Sequence, residues 1–373
     1  MTEIGLEQSV EGADEPAVLT PSADSPVRRP TSGSRLEGLV IALAPGLFEV
    51  ATEEGAYLCT LRGRLRKARP TPRIGTNSTS ARTPKGARNA TALATPATET
   101  PSPVRVAPGD HVLIAPLPGG GGVIEEVAPR GATLARARSE AGTEQIMLAN
   151  VDLAALVFAT RDPEPHFGLL DRYLALSERA GVAAVICMNK VDLGVTSELE
   201  RMVAVYADLG YPVVWSSATT GAGLDELRAR VTDKISLLTG PSGVGKSSLT
   251  NALIPGESQR VGEISAATHK GRHTTTGVRL LAFPGGGWLA DSAGIRELAL
   301  WNVPADELSS CFVELRGLEG TCLYEDCQHG ANEEGCAFRA ALASGAITPE
   351  RYASFERLLS EARAEEAQRQ PFR

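Results

Sequence analysis

The chain has 373 residues, of which 42% are hydrophobic and 22% charged, and a formal net charge of −8. That length allows two or three domains, each with its own core. Its longest apolar runs, "VDLAALVFA" and "AGVAAVICM", are strand-sized, short of the about 18 residues of a membrane-spanning helix. Six cysteines in so long a chain make no disulfide framework, so a reducing cytoplasm, without membrane attachment, is expected; the chain is also expected to be a monomer.

Residues 1–34 are rich in Glu, Ser, Pro and Ala and poor in large apolar side chains, which predicts a disordered tail. They lack the basic start and apolar stretch of a signal peptide. From Leu36 the texture changes to short strand-like runs punctuated by Gly and Pro: "EGLVIALAPGLFEVAT", "GAYLCTLRGRLRK", "GDHVLIAPL" and "GGVIEEVAPR". Five such strands over residues 35–138 predict a small β-barrel. A Thr/Pro/Ala-rich stretch at about 69–108 cannot bury much and reads as a flexible insert between strands.

Charge is unevenly spread. Residues 35–138 carry 14 Lys+Arg and 8 Asp+Glu, a local +6 that leaves −14 for the rest. Within Arg62–Arg88 there are nine basic residues and no acidic one. A basic segment in an acidic protein fits a polyanion partner such as RNA. On charge alone it fits a solvated basic loop equally well.

From about Asn150 strand-like and helix-like segments alternate: "VDLAALVFA", "LLDRYLALSERAG", "VAAVICMNK", "SELERMVAVYADLG", "PVVWSSA" and "GLDELRARV". This order predicts a mostly parallel sheet with helices on both faces, over 139–308. Asn189, Lys190, Val191 and Asp192 close the second strand, at the strand end where open α/β sheets bind ligands. An Asp carboxylate there can accept from guanine N1–H and the 2-amino group, an arrangement adenine does not offer. Asn189 can buttress the loop, and Lys190 can lay its stem across the base. After the next strand, Ser217 and Ala218 in "SSAT" can offer a backbone N–H to guanine O6.

Gly240, Pro241, Ser242, Gly243, Val244, Gly245, Lys246 and Ser247 then fit G-x-x-x-x-G-K-[ST] between the strand "KISLL" and the helix "KSSLTNALI". Such a loop curls backbone N–H groups around phosphate oxygens, helped by the helix N-terminus that continues through Ser248. Lys246 reaches the β- and γ-phosphates and Ser247 ligates Mg²⁺. The phosphate loop here follows the base loop, the reverse of an ordinary P-loop GTPase. Circular permutation keeps every motif functional. Two further segments fit the switches. Asp291–Gly294 ("DSAG") matches D-x-x-G, with Asp291 on Mg²⁺ through water and the Gly294 N–H at the γ-phosphate. "GRHTTT" offers Thr274–Thr276 for Mg²⁺. Spacing does not fix which; Thr275 is favoured, and taken alone the stretch is equally a polar loop entering a strand.

Near the C-terminus, "CLYEDCQHGANEEGC" places Cys322, Cys327, His329 and Cys336 together. Three thiolates and an imidazole would form a closed tetrahedral Zn²⁺ set, hence a structural site in the 309–373 helical segment; the spacing lacks the common C-x₂-C pair, so on spacing alone four unrelated buried or free side chains are the alternative. Cys59, Cys187 and Cys311 read as core residues.

"NKVDL", "SSATTGAGLDEL", "GPSGVGKSSLTNAL", "GRHTTT", "DSAGIRE" and the Cys/His cluster together resemble the ribosome small-subunit-dependent GTPases, the RsgA or YjeQ family. The resemblance spans roughly Leu36 to Phe355. It implies an OB-fold barrel, a circularly permuted P-loop GTPase domain and a C-terminal zinc-binding domain: a multidomain α/β protein. It also implies GTP hydrolysis in late maturation of the small ribosomal subunit, contact with its rRNA, and stimulation by that subunit. Three details depart from the family pattern. Ser292-Ala293 stand where Thr-Pro is usual, the insert is long, and the last gap of the Cys/His cluster has one extra residue and no Pro. Ile295 stands where Ras-like enzymes place a water-orienting Gln, so slow intrinsic turnover is expected. His273 is the nearest alternative for that role, though it could equally cap a strand or contact RNA. Competing readings are a nucleotide-gated RNA-binding checkpoint whose turnover serves release, a large-subunit permuted GTPase, and an ATP-using P-loop kinase, which Asp192 opposes.

Overall fold

The structure, a computed structural model, describes residues 35–66, 105–118, 120–137, 144–255, 278–290, 303–330 and 333–369. The tail 1–34, the basic stretch beyond residue 66 with the insert up to 104, and the segments 256–277 and 291–302 lie outside them. His273, Thr275, Asp291 and Gly294 are therefore outside the described residues.

Strands β1 (Leu36–Ala44), β2 (Leu47–Thr52), β3 (Gly55–Leu61), β4 (His111–Pro116) and β5 (Gly122–Val127) close into a barrel in the order β1-β2-β3-β5-β4. The β3–β5 pair is parallel and the others antiparallel, an OB-like arrangement. Alternation along the strands sends Val40, Val50, Cys59, Val112, Ile114 and Ile124 inward. Gly38 is needed where β1 crosses β2, because a Cβ there would lie 2.5 Å from Val50 Cγ1 and 2.8 Å from the Ala51 carbonyl oxygen.

Val106 and Ala107 are already buried, so the chain rejoins the barrel just before the insert's expected end. The reason is Asp110, fully buried, whose carboxylate takes the Ala107 N–H at 2.8 Å and a two-pronged contact from Arg130 at 2.6 and 2.7 Å. A buried carboxylate needs this degree of pairing.

A hairpin absent from the sequence reading follows, β6 (Thr133–Ala137) with β7 (Glu144–Ala149). The expected boundary between residues 138 and 139 falls between its two strands. Asn150 joins it to the barrel, accepting from the Gly131 N–H and donating to the Gly109 carbonyl, both at 2.7 Å.

The next unit is a six-stranded sheet of β8 (Leu153–Ala159), β9 (Ala183–Asn189), β10 (Val213–Trp215), β11 (Ile235–Thr239), β12 (Leu280–Ala282) and β13 (Trp288–Ala290). Its order is β10-β9-β8-β11-β13-β12, parallel except for β12. Every residue of β8 is buried, as expected for a strand covered on both faces. Helices α1 (Phe167–Ala180) and α2 (Ser197–Asp208) cover one face; α3 (Leu224–Val231) and α4 (Lys246–Leu253) cover the other. Thr196 caps α2 by accepting from the Leu199 N–H at 3.2 Å, with Glu198 and Glu200 in the first turn. Gly181 ends α1 in the left-handed region, φ 66°.

The C-terminal part contains α5 (Ala337–Ser344) and α6 (Pro349–Arg369). Phe355 makes edge-on contacts with Phe312 and Phe338, with centroids 5.4 and 5.5 Å apart. This part is held to the sheet unit by Arg351, which is 3% exposed. Its guanidinium meets Asp171 of α1 at 2.5 Å and forks onto Glu314 at 2.7 and 3.0 Å. It also lies over the Phe312 ring at 4.5 Å. The Tyr206 hydroxyl of α2 donates to the same Asp171 oxygen at 2.8 Å. Burial, then the Asp171 charge, pushes the Tyr206 phenol far above its ordinary value, so it stays a neutral donor. Burial works against the charged guanidinium, but the Glu314 hydrogen bonds and the Asp171 charge raise its pKa nonetheless. On the barrel side, Arg279, just ahead of β12, forks onto Glu49 of β2 at 2.8 and 2.9 Å.

Replacing Arg351 with Ala strands two buried carboxylates, so unfolding should be easier by about 3–5 kcal/mol. Removing the exposed Arg228–Asp225 partner by Arg228→Ala should leave the denaturation midpoint nearly unchanged. Equal midpoints for the two variants in urea titration would remove the Arg351 cluster from its structural role.

Candidate nucleotide and metal sites

Strands β8, β9, β10 and β11 run in the same direction, so the loops after Ala159, Asn189, Trp215 and Thr239 leave one edge of the sheet together. From β8 the chain steps outward to β9 and β10, then returns to β11 on the other flank of β8. The β8–β11 seam is therefore the topological switch point, where a crevice opens at the carboxyl ends of the strands.

The phosphate loop forms at that seam. Gly240 has φ +149°, and a Cβ there would stand 2.0 Å from the Val157 carbonyl oxygen of β8. Only glycine lets β11 turn that close to its neighbour. Gly243 and Gly245 have φ +81° and +95°. Lys246 points back into the loop, its ammonium 2.8 and 2.6 Å from the carbonyl oxygens of Gly240 and Pro241. Ser242, Ser247 and Ser248 are exposed beside it, while Val244 is buried under the loop.

The base loop is stitched to the phosphate loop. Asn189, 2% exposed, donates its amide to the Val244 carbonyl at 2.8 Å. A Cβ on Gly245 would lie 2.4 Å from the same amide nitrogen, so this contact too requires glycine. The Asn189 side-chain oxygen accepts from Ser216 at 3.3 Å. Lys190 takes a left-handed conformation, φ 66°, and its ammonium donates to the Asp162 carbonyl. Asp192 is exposed at the mouth, and one carboxylate oxygen accepts from Ser217 at 2.5 Å. The Ser217 hydroxyl also accepts from the N–H groups of Thr219 and Thr220 at 3.2 and 3.1 Å. The "SSAT" turn and the base loop are thus one hydrogen-bonded unit with Ala218 between them.

Some partners escaped the sequence reading. Thr160, after β8, donates to the Lys190 carbonyl at 2.8 Å. His166 caps α1 by accepting from the Leu169 N–H at 3.0 Å. Ser216 opens the "SSAT" stretch already singled out, but its hydrogen bond to Asn189 is a role the sequence does not signal. In each case the only sequence signal is a small polar or His residue at a strand end or helix start. Cys59, Cys187 and Cys311 are buried.

The second cluster lies in the C-terminal part. Cys322, Cys327, His329 and Cys336 bring four ligand atoms within 4.8 Å of one another. Each of the three sulfurs is 3.6 Å from His329 Nδ1. An ion with bonds of about 2.3 Å to sulfur and about 2.0–2.1 Å to nitrogen sets a tetrahedral S···N edge near 3.6 Å, so the donor set fits a metal. The His329 ring stacks on Phe338, centroids 4.0 Å apart and 11° from parallel, and the Ala337 N–H approaches Cys322 Sγ at 3.4 Å. Such outer contacts fix a ligand's orientation.

A family model described as RsgA GTPase matches residues 127–301. The small ribosomal subunit biogenesis GTPase RsgA of Gemmatimonas aurantiaca is 39% identical over 332 residues, 87% of this chain and 96% of that protein. Its namesake from Pseudomonas aeruginosa is 46% identical over 255 residues, 68% of this chain and 74% of that protein. Among solved structures, YjeQ from Thermotoga maritima aligns at TM-score 0.65 and 29% identity, over 88% of this chain and 99% of that one. YloQ, described as a circularly permuted GTPase, aligns at TM-score 0.63 and 25% identity, over 93% and 100%. The late strand β11 seated beside the early strand β8, and relatives similar along most of the chain, lead to one assignment: the chain belongs to the RsgA GTPase family.

Proposed function

We propose that this chain hydrolyses GTP on the small ribosomal subunit during its late maturation, binding ribosomal RNA and stimulated by the subunit. The observation that carries the nucleotide part is the Asn189–Val244 hydrogen bond, which sets base loop and phosphate loop at one distance on one sheet edge. The ribosomal part is supported by the names of the relatives. A cytoplasmic monomer fits it.

In this reading Asp192 accepts from guanine N1–H and the 2-amino group, with Ser217 holding the carboxylate in place. Lys190 flanks the base, and the Ala218 backbone meets guanine O6. The N–H groups from Gly240 to Ser248 wrap the phosphates, and Lys246 exchanges loop carbonyls for β- and γ-phosphate oxygens. Ser247, Thr275 and Asp291 would hold Mg²⁺, which neutralises charge on the phosphates when bound. Gly294 would sense the γ-phosphate. Ile295 cannot orient water, so His273 or a group of the subunit takes that task. Cys322, Cys327, His329 and Cys336 would hold one structural Zn²⁺; a Cys₃His set has no open position for substrate. We assign residues 35–127 as the RNA-binding barrel, with the basic stretch from Arg62, residues 153–308 as the permuted GTPase domain, joined to it through the β6–β7 hairpin that spans the expected 138/139 boundary, and 309–373 as the zinc-binding domain.

GTP and ATP turnover, each measured with and without purified small subunits, tests the whole reading. GTP alone should be hydrolysed, slowly in isolation and at least tenfold faster with subunits; equal use of ATP would overturn it. Asp192→Asn should lower GTP affinity roughly 10- to 100-fold, the worth of a charge-assisted hydrogen bond, and shift preference towards xanthosine nucleotides. Unchanged GTP affinity would unseat the base loop. Metal analysis should find one zinc per chain, and chelation should open residues 319–345 to protease. A metal-free chain with the same digestion pattern would refute the zinc assignment.

A further inference from the structure

The metal loop carries two apolar side chains that its fold does not use. Leu323 is 69% exposed and Tyr324 51% exposed. Leu323 is the most exposed large apolar side chain among the described residues. Their backbone is fixed nonetheless. Cys322 and Cys327, both in the ligand set, bracket them. The Leu323 N–H donates to the Gly335 carbonyl at 2.9 Å, and the Cys327 N–H to the Tyr324 carbonyl at 3.3 Å. Gly335 is left-handed, φ +68°, and a Cβ on it would stand 2.4 Å from Leu323 Cβ. A Leu–Tyr pair held rigid in solvent loses little entropy on being covered, which is the property of an interface anchor.

The chemistry around the pair selects its partner. Residues 319–336 hold Glu319, Glu325, Asp326, Glu333 and Glu334, and no Lys or Arg. All but Glu333 are exposed. The flanking guanidinium groups do not neutralise the knob's carboxylates in the described contacts. Arg339 donates to the Glu333 backbone carbonyl and Arg363 to that of Gln328. Nucleic acid is repelled by such a surface, since its affinity comes from phosphates meeting cations. An anionic membrane is repelled for the same reason, and a second copy would set carboxylate against carboxylate.

We propose that the Leu323–Tyr324 tip docks onto a lysine- and arginine-rich protein segment bearing an apolar side chain, not onto RNA. This rests on the small-subunit reading only for where that segment is found. The barrel side would then grip RNA through cations, and the metal knob would grip protein through carboxylates and an apolar anchor.

The test uses the full chain and purified small subunits. Leu323→Ser/Tyr324→Ala and Glu325→Lys/Asp326→Lys alter exposed side chains only, so metal content and GTP affinity should not change. Each should weaken subunit binding at least fivefold. A photoreactive benzoylphenylalanine in place of Tyr324 should crosslink to a protein band that survives ribonuclease and loses its label on trypsin digestion. Crosslinks to RNA, or undiminished binding by both variants, would overturn the proposal. If the unaltered chain fails to bind subunits, the function reading falls instead. The surface is then judged alone with a synthetic peptide of lysine, arginine and leucine. The unaltered chain should bind it more weakly as salt rises, and the Leu323→Ser/Tyr324→Ala variant at least fivefold more weakly still; equal binding would overturn the proposal.

Discussion

The seam between β8 and β11 is the constraint on which the rest of the molecule depends. Ser236 to Thr239 pair in register with Leu153 to Leu156, and Gly240 must pass within contact of the Val157 carbonyl. That register puts the end of β11 beside the end of β8, one strand away from Asn189 at the end of β9. A slip of one residue would turn every side chain of β11 to the other face and carry Val244 away from the Asn189 amide. The covalent order of the two halves does not enter this geometry. The sheet is therefore indifferent to which half comes first in the chain, provided that the loops leave the same edge.

Legibility from sequence followed the range of the interactions. The base loop, the phosphate loop and the βα alternation are local patterns, each complete within a dozen or so residues, and each lies at the strand end where the pattern put it. The Cys/His cluster was equally local, and its four ligand atoms do converge. The β6–β7 hairpin is poorly marked because "TLARA" is rich in Ala, a weak strand former, and no Asn-Gly or Asp-Gly turn lies between it and "EQIMLA". The Arg351 cluster could not be read at all. Asp171, Glu314 and Arg351 come from three segments far apart in sequence. An Arg next to Tyr352 in a helical pattern looks like an ordinary surface residue until the partners are in place.

The C-terminal part is bound to the sheet unit through α1, not simply appended to it. Asp171 accepts from Arg351 and Tyr206, Arg357 donates to the Gly168 carbonyl at 2.8 Å, and Arg179 meets Glu307 at 2.6 Å. The N-cap of α1, His166, comes four residues after Asp162, whose carbonyl holds Lys190. One helix therefore has the base loop near its head and the part with the Cys/His cluster along its flank. Phe355 links that flank to Phe338, on which His329 of the Cys/His cluster stacks.

The Arg279–Glu49 pair has a different character, and a consequence follows from its exposure. Its side chains are 40% and 26% accessible, against 3% for both Arg351 and Asp171. Mobile ions screen exposed charges over about 8 Å at physiological ionic strength and reach buried pairs far less. Rising salt therefore loosens the polar contact between barrel and sheet edge while the C-terminal clamp keeps its strength. Ionic strength becomes a one-sided solvent control on the joint at β2 and β12, with the α1 joint as its insensitive reference.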